Sequence, residues 1–274
     1  IKPMLAHKYN PDKAIFPCYI QPKLDGVRCI ITKDGAFSRT GKEFKNIQHI
    51  KSILNFYFFD KFPDMKLDGE LYNHELKNDF EKIISLVRKT KPTTEHRLEA
   101  NELVQFHCYD TIQNDITYEL RKNFLYEKLP QSYCVHLIST CYALNDRDAN
   151  LLHKANLKSG YEGSIYRTKE GIYKGTRSWD LMKFKDFEDA EATIVGYERG
   201  KGKREGTLGK FMMQDDEGIQ FGCPPGKGYD YTDMKCMLTE IHKYMGQRAT
   251  FTFFGRTKAN SYRHPLFKCI RNYE

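Results

Sequence analysis

The sequence changes character close to residue 187, and this change restricts the folds that the chain can adopt. Before it, short apolar runs alternate with amphipathic stretches. Phe80, Ile83, Ile84 and Val87, for example, recur at i, i+3, i+4 and i+7, which is the spacing of an amphipathic helix. This mixture of strands and helices predicts an α+β domain over residues 1–187, built from mixed antiparallel sheets and helices.

Helical periodicity becomes rare in the rest of the chain. Short β-rich runs separated by glycine and turn residues follow, and residues 231–244 carry the one helical pattern. About five strands and one helix over residues 188–274 predict a small Greek-key β-barrel of the OB type, a fold that commonly binds nucleic acid.

The apolar runs also place individual elements. Helices are expected over 47–59, over 118–129 with Leu120, Phe124 and Leu125 facing inward, and over a stretch that ends at 159. Strands are expected over 14–20, 27–31, 65–72, 103–109, 133–143, 163–167, 171–173, 192–197, 209–214, 218–223 and 248–255.

Composition limits the class of protein. A formal charge of +8 is compatible with a polyanionic partner. No run of about 18 apolar residues occurs, so we expect no membrane-spanning helix. The eight cysteines form no C-x-x-C pair, so we expect free buried thiols and no zinc. Free thiols favour the cytoplasm. The periplasm is the alternative if a leader has been removed ahead of Ile1.

The stretch YIQPKLDGVRCII, residues 19–31, carries charges into an apolar strand pair. A lysine amine is a weak nucleophile at its usual pKa of about 10.4, but burial or nearby cations lower that pKa. Lys23 is therefore a candidate for attack on phosphorus. Gly26 would let the backbone approach a nucleotide closely, and Arg28 would offer a fork for phosphate. The alternative is a charged turn in water.

An attack by Lys23 on phosphorus would need further cations and carboxylates nearby. Lys183 and Lys185 alternate with apolar residues and so project from one strand face, while Glu70 and Glu162 each adjoin a glycine in an apolar run. Taken singly, Lys-x-Lys can protect an edge strand from aggregation, and a glutamate beside glycine can mark a turn. Together, these groups favour a nucleotide-processing site.

The order of these groups resembles the motif set of ATP-dependent DNA ligases. The matching stretches are Lys23-Leu-Asp25-Gly26-Val-Arg28, Ser38-Arg39-Thr40-Gly41, Leu67-Asp68-Gly69-Glu70-Leu71, Tyr109-Asp110, Glu162-Gly163 and Leu181-Met-Lys183-Phe-Lys185. The tail RHPLFKCIR is similar to the last motif of the family, in its OB domain. The likeness spans essentially the whole chain and is strongest to the minimal two-domain enzymes called Lig E or to their phage and viral relatives.

The resemblance implies a nucleotidyltransferase (adenylation) domain followed by an OB domain. The implied activity seals 3′-OH/5′-phosphate nicks in duplex DNA, using ATP and Mg²⁺, through a lysyl-AMP and then a DNA-adenylate. Lys23 would carry the AMP, and Asp25 would orient the Lys23 side chain. Gln21 would read adenine N6 through its side-chain acceptor, Tyr109 would stack on adenine, and Glu70 would bind the ribose hydroxyls.

The resemblance also implies which residues hold phosphate, metal and DNA. Lys183 and Lys185 would neutralise charge on the α-phosphate, because phosphoryl transfer depends on positioning and electrostatics. Magnesium would be held by Glu162, with Glu70 as a further candidate ligand. The matched motifs give the remaining cations their roles. Arg28 and Arg39 would hold the 5′-phosphate of the nick and the AMP ribose. Arg177 would contact the nucleotide and the nick phosphate, and Arg263 and Arg271 would orient pyrophosphate.

The basic run Arg199-Gly-Lys201-Gly-Lys203-Arg204 completes the expected DNA-binding surface, because its cations attract phosphates and its glycines let amides approach them. The alternative is a solvated hairpin. We expect a monomer that binds nicked double-stranded DNA and no membrane. Two other functions stay open at this point: an RNA ligase or mRNA-capping-type nucleotidyltransferase, which shares the lysine motif, and a non-catalytic nucleic-acid-binding module.

Overall fold

A computed structural model of the chain describes residues 2–272. These residues form fifteen strands and six α-helices. The strands are β1 (Leu5–Lys8), β2 (Cys18–Lys23), β3 (Val27–Ile31), β4 (Ala36–Phe37), β5 (Leu67–Tyr72), β6 (Gln105–Thr111), β7 (Val135–Leu137), β8 (Cys141–Ala143), β9 (Gly163–Thr168), β10 (Arg177–Phe184), β11 (Glu188–Arg199), β12 (Leu208–Gln214), β13 (Gln220–Cys223), β14 (Arg248–Phe253) and β15 (Leu266–Ile270). The helices are α1 (Gln48–Leu54), α2 (Phe80–Val87), α3 (Thr94–Leu103), α4 (Tyr118–Lys128), α5 (Asp146–Lys158) and α6 (Tyr231–Thr239).

The chain divides into two compact units between Lys185 and Asp186. The predicted boundary after residue 187 lies just inside the second unit. The first unit contains two five-stranded sheets, with strand orders β1-β10-β9-β2-β8 and β4-β3-β5-β6-β7. Most neighbours pair antiparallel, while β1–β10 and β6–β7 pair in parallel. The predicted α+β class is confirmed.

The second unit is one five-stranded sheet in the order β13-β12-β11-β14-β15. Its core includes the fully buried Phe211, Phe251 and Phe267. The two edges of the sheet meet at Phe267, whose N–H donates to Pro224 and whose carbonyl accepts from Gly226. The sheet is therefore open, and two backbone hydrogen bonds at Phe267 link its edges. Within the described residues, strand pairing does not continue around a closed barrel.

The sequence placed most elements correctly, and three placements were wrong. Leu120 is 55% exposed because α4 buries Arg121 in its place, where Asp110 neutralises the guanidinium. The expected strand over 133–143 is two short strands, β7 and β8, which belong to different sheets. Residues 171–173 make only one bridge, between Ile172 and Thr117, and form no strand.

All eight cysteines are free, and six of them are buried. Among the described helices, none is both long and apolar enough to cross a bilayer.

Candidate active site

Lys23 is the last residue of β2 and lies opposite Gly163 of β9. This register brings the preceding residue, Glu162, to the lysine side chain: Nζ of Lys23 lies 2.5 Å from Oε2 of Glu162. The other carboxylate oxygen, Oε1, lies 2.9 Å from Nζ of Lys185. A Cβ on Gly163 would lie 2.0 Å from the Phe184 carbonyl oxygen, so only glycine lets β10 pass here. One nearly buried carboxylate is thus shared by two ammonium groups.

Arg28 projects from β3 and makes a bidentate ion pair with Asp68 of β5. Its Nε and a terminal nitrogen lie 3.0 and 2.6 Å from the two carboxylate oxygens. A second terminal nitrogen donates to the Met4 carbonyl, and the Tyr173 hydroxyl donates to Asp68. Burial opposes the charge on Arg28, but Asp68, Tyr109 and Tyr173 together outweigh burial and raise the pKa of Arg28 above its ordinary value. The guanidinium is therefore fixed before any phosphate arrives, with at least three of its five N–H donors engaged.

Glu70 lies directly opposite Arg28 in the β3–β5 ladder. Burial raises the pKa of Glu70, Lys23 and Arg28 lower it, and the Asp68 and Asp25 carboxylates add to the effect of burial, so that the pKa comes to about 8. A carboxyl group that holds its proton near neutral pH suits hydrogen bonding to hydroxyl groups better than binding a metal ion. The raised pKa thus suits the predicted ribose contact of Glu70 better than its predicted role as a metal ligand.

Glu162 is the better candidate for magnesium. Among residues 2–272, no group of three or more His, Cys, Asp or Glu side chains is arranged to hold a metal ion. Magnesium does not require such a group, since it keeps several waters and takes one or two carboxylates together with substrate phosphates. The single nearly buried carboxylate of Glu162 fits that demand, but an ion would compete there with Lys23 and Lys185.

Gln21, two residues before Lys23, is 2% exposed, and both polar atoms of its side-chain amide form hydrogen bonds. Its Oε1 accepts from Nε of Arg167 at 2.7 Å, and its Nε2 donates to the Tyr118 hydroxyl and to Oγ1 of Thr140 at 2.8 and 3.0 Å. The oxygen that was expected to read adenine N6 therefore already accepts a hydrogen bond from an arginine.

A buried ion network behind this glutamine was missed in the sequence. Asp110 is fully buried and binds two guanidinium groups: Nε of Arg121 at 2.7 Å and a terminal nitrogen of Arg167 at 2.7 Å. The Tyr109 ring lies 5.3 Å from the Arg167 guanidinium carbon and 5.8 Å from that of Arg28. Asp110 follows Tyr109 in the matched motif. An acidic residue inside an apolar strand was the feature of the sequence that could have indicated a buried ion pair.

A histidine, also missed, links the end of β5 to the residue that follows α5. Nδ1 of His74 accepts from the Tyr72 hydroxyl at the end of β5 (2.7 Å), and Nε2 lies 2.9 Å from the Ser159 carbonyl just before β9. Because the Ser159 carbonyl can only accept, Nε2 of His74 donates in this hydrogen bond. The ring of His74 also lies 4.3 Å from that of Tyr161, the neighbour of Glu162.

The structure also explains Gly26 differently from the sequence. A Cβ at this position would lie 2.4 Å from the Leu71 carbonyl oxygen and 2.8 Å from Cγ of Glu70. The close approach that requires glycine is therefore one between two strands of the protein.

The other predicted site residues occupy varied positions. In the first unit, Asp25 and Lys183 are partly buried, whereas Arg39 and Arg177 are exposed. Because β10 lies between β1 and β9, Lys183 is not on an edge strand, and protection against aggregation does not explain it. In the second unit, Arg271 pairs with Glu191 at 2.7 Å. Four cations of that unit are exposed: Arg263, Lys201, Lys203 and Arg204.

Comparison with known families accounts for this arrangement. Residues 3–185 match the family model of the ATP dependent DNA ligase domain, and residues 199–271 match that of the DNA ligase OB-like domain. The chain belongs to the ATP-dependent DNA ligase family. Its second unit is accordingly the OB-like domain of a ligase, as the sequence predicted.

Individual ligases are similar over much of the chain. DNA ligase of African swine fever virus (isolate Warthog/Namibia) is 28% identical over 76% of this chain and 52% of the viral protein. DNA ligase of Haemophilus influenzae is 27% identical over 78% of this chain and 75% of that protein. The chain thus spans about half the length of the viral ligases that it matches.

Solved ligase structures have the same fold. A structure from work on Lig E DNA ligases, concerned with DNA binding by a minimal scaffold, is 25% identical, covers 99% of both chains and has a TM-score of 0.59. The Chlorella virus DNA ligase-adenylate is 24% identical, covers 100% of this chain and 99% of its own, and has a TM-score of 0.55.

Proposed function

We propose that this chain is an ATP-dependent DNA ligase that seals nicks with a 3′-OH and a 5′-phosphate in duplex DNA. The observation that carries the proposal is the shared carboxylate: Glu162 holds Lys23 and Lys185 within 3 Å, inside a domain of the ligase family. A nucleophile next to a second cation is what attack on a polyphosphate requires.

In the first step, Nζ of Lys23 would form a P–N bond to the α-phosphorus of ATP, and pyrophosphate would leave with the bonding electrons. The amine must lose a proton for this, and the Glu162 carboxylate touches it. Lys185 is placed to balance negative charge that develops on the α-phosphate. Magnesium, held by Glu162 and phosphate oxygens, would supply further charge neutralisation.

The two later steps use the same cleft. The 5′-phosphate of the nick would attack the lysyl-AMP and release Lys23, which gives a DNA-adenylate. The 3′-OH would then attack this activated phosphate and release AMP. Tyr109 and Glu70 lie in hydrogen-bond contact (3.4 Å) beside Arg28, as a site for adenine and ribose would need.

Intact-mass measurement tests the proposal. Incubation with ATP and Mg²⁺ should add the mass of one AMP to the protein, and nicked duplex DNA should remove it while a sealed strand forms. A chain that gains no AMP would be a binding module. Sealing of nicked RNA in preference to DNA would favour the RNA ligase alternative.

We also propose that the enzyme acts as a monomer in the cytoplasm. Eight free cysteines, two of them exposed at Cys141 and Cys236, support a reducing compartment. Size-exclusion chromatography coupled to light scattering tests the monomer, and labelling of unreacted thiols in intact source cells tests the compartment.

A further inference from the structure

Trp179, the single tryptophan of the chain, lies on the surface of the first unit although it belongs to a central strand. Its side chain is 40% exposed, while Met182 and Phe184 of the same strand, β10, are buried. The β1–β10 register shifts between Ala6 and His7, whose partners on β10 are Ser178 and Met182. Such a bulge re-aims a side chain, and bulges are common next to active sites.

The exposed indole is held in place by a stacking partner. The ring of His7 lies parallel to it, with centroids 3.8 Å apart and an interplanar angle of 7°. Parallel stacking of this kind restricts the orientation of both rings. An exposed aromatic side chain that is already ordered loses little conformational entropy when a partner packs on it.

Two basic side chains, Lys13 and Arg177, lie beside this aromatic pair. Nζ of Lys13 lies 5.9 Å from the indole centroid, and Arg177 donates a hydrogen bond to the Ala6 carbonyl, next to His7. The nearest acid in the strand, Asp180, is paired with Lys174 at 2.8 Å. Over residues 2–13 and 174–180 the chain carries five cations and two carboxylates, which are Lys2, Lys8, Lys13, Lys174 and Arg177 against Asp12 and Asp180.

Resting on the function proposed above, we propose that Trp179, supported by His7, contacts a DNA strand through its sugars or an exposed base, while Lys13 and Arg177 bind the flanking phosphates. An aromatic ring among cations fits a polyanion that also carries flat and apolar surfaces. The positive balance argues against a second copy of this basic chain as the occupant. Lys183 is four residues further along the same strand, so DNA bound here would lie close to the nucleotide cleft.

The single tryptophan supplies the test. Titration of the native chain with nicked duplex DNA should give a saturable change in tryptophan emission, with the midpoint of binding measured by anisotropy of labelled DNA. Trp179→Ala should weaken DNA binding by about fivefold or more, the effect of losing one aromatic stack. Trp179→Phe should restore part of that loss. Tyr126→Ala, which removes a 79% exposed aromatic ring on α4, serves as the matched control and should bind normally.

The outcomes separate this inference from the proposed function. If the native chain binds no nicked DNA, the proposed function fails. If it binds DNA with unchanged emission, or if Trp179→Ala binds as tightly as the native chain, the contact proposed here is wrong and the ligase proposal stands. An emission change that follows protein concentration without DNA would identify a second copy as the occupant and would also overturn it.

Discussion

Glu162 binds Lys23 through one carboxylate oxygen at 2.5 Å, and its other oxygen is 2.9 Å from Lys185. An anion in contact with an amine stabilises the charged ammonium form, which is not the nucleophile. The contact with Glu162 therefore holds Lys23 in place, and the ammonium must lose a proton before the amine can attack phosphorus.

Replacing Lys23 by alanine should abolish formation of the protein–AMP adduct. The variant should still seal a nick whose 5′ end is already adenylated, because that step needs no lysyl-AMP. Radiolabelled ATP and a pre-adenylated substrate measure the two activities separately. An AMP adduct on Lys23→Ala would show that the nucleophile has been misassigned.

Tyr109→Ala should raise the KM for ATP much more than it weakens DNA binding. Loss of a ring that stacks on a base costs roughly 1–3 kcal/mol, and this ring would meet only adenine. Tyr109→Phe keeps the ring and removes only the 3.4 Å hydrogen bond to Glu70, so it should keep most of the ATP affinity. Equal losses of ATP and DNA affinity in Tyr109→Ala would mean that the ring serves the core alone.

Stability should depend on pH through Glu70. Burial raises the pKa of this carboxyl from 4.5 to about 8, so between these values the folded chain holds a proton that the unfolded chain has lost. The contribution of Glu70 to the free energy of unfolding should therefore fall as pH rises from 4.5 to 8. Since each pKa unit corresponds to about 1.4 kcal/mol, Glu70→Gln should gain up to a few kcal/mol over the native chain across this range. Denaturant titrations at pH 5 and pH 8 measure the difference; identical pH dependence in both proteins would contradict the assignment.

His74 should act as a positioning residue for Glu162. His74→Ala should slow lysine adenylation roughly ten- to a hundredfold, because small displacements of reacting groups are costly, and should change the KM for ATP less. His74→Gln can still donate to the Ser159 carbonyl and should recover more of the rate than His74→Asn. His49→Gln is the matched control, since Nε2 of His49 also bonds to a backbone carbonyl, that of Val104 at 2.8 Å. Equal rates for the Gln and Asn variants would remove the Ser159 contact from the explanation.

The salt dependence of DNA binding should reveal the role of the exposed run in the OB-like domain. Each neutralised phosphate contributes a slope of about 0.9 in a plot of log affinity against log salt. Joint replacement of Lys201, Lys203 and Arg204 by alanine should flatten this slope by up to about three such contributions. A control with the same loss of charge elsewhere in the domain, at Lys227, Lys235 and Lys243, should flatten it less. Equal slopes for the two triple variants would show that this run does not bind the DNA phosphates.

The sequence marked candidate residues where a motif carries its own neighbours. Lys23, Glu162 and Lys185 lie in such motifs, and the antiparallel pairing of β2 with β9 places Glu162 beside Lys23. The helix over Phe80–Val87 likewise followed from its own periodicity. In these cases the determining interactions lie within a few residues or one ladder.

The buried polar contacts could not be predicted in the same way. The hydrophobic pattern placed Leu120 inside and left Arg121 out, whereas a carboxylate from another element reverses that choice. The family resemblance gave Gln21 a contact with adenine, and its partner Arg167, 146 residues away, could not be found from the local sequence. Side chains that depend on distant ion pairs need the tertiary structure.

The parallel strand β1 covers the side of β10 that β9 leaves open. A variant without residues 2–8 would leave the backbone N–H and C=O groups of that strand facing water as a ready template for other chains. Such a protein would reveal the loss first as fibrous or amorphous precipitate in expression trials. Strand β1 thus shields the central strand from pairing with other chains.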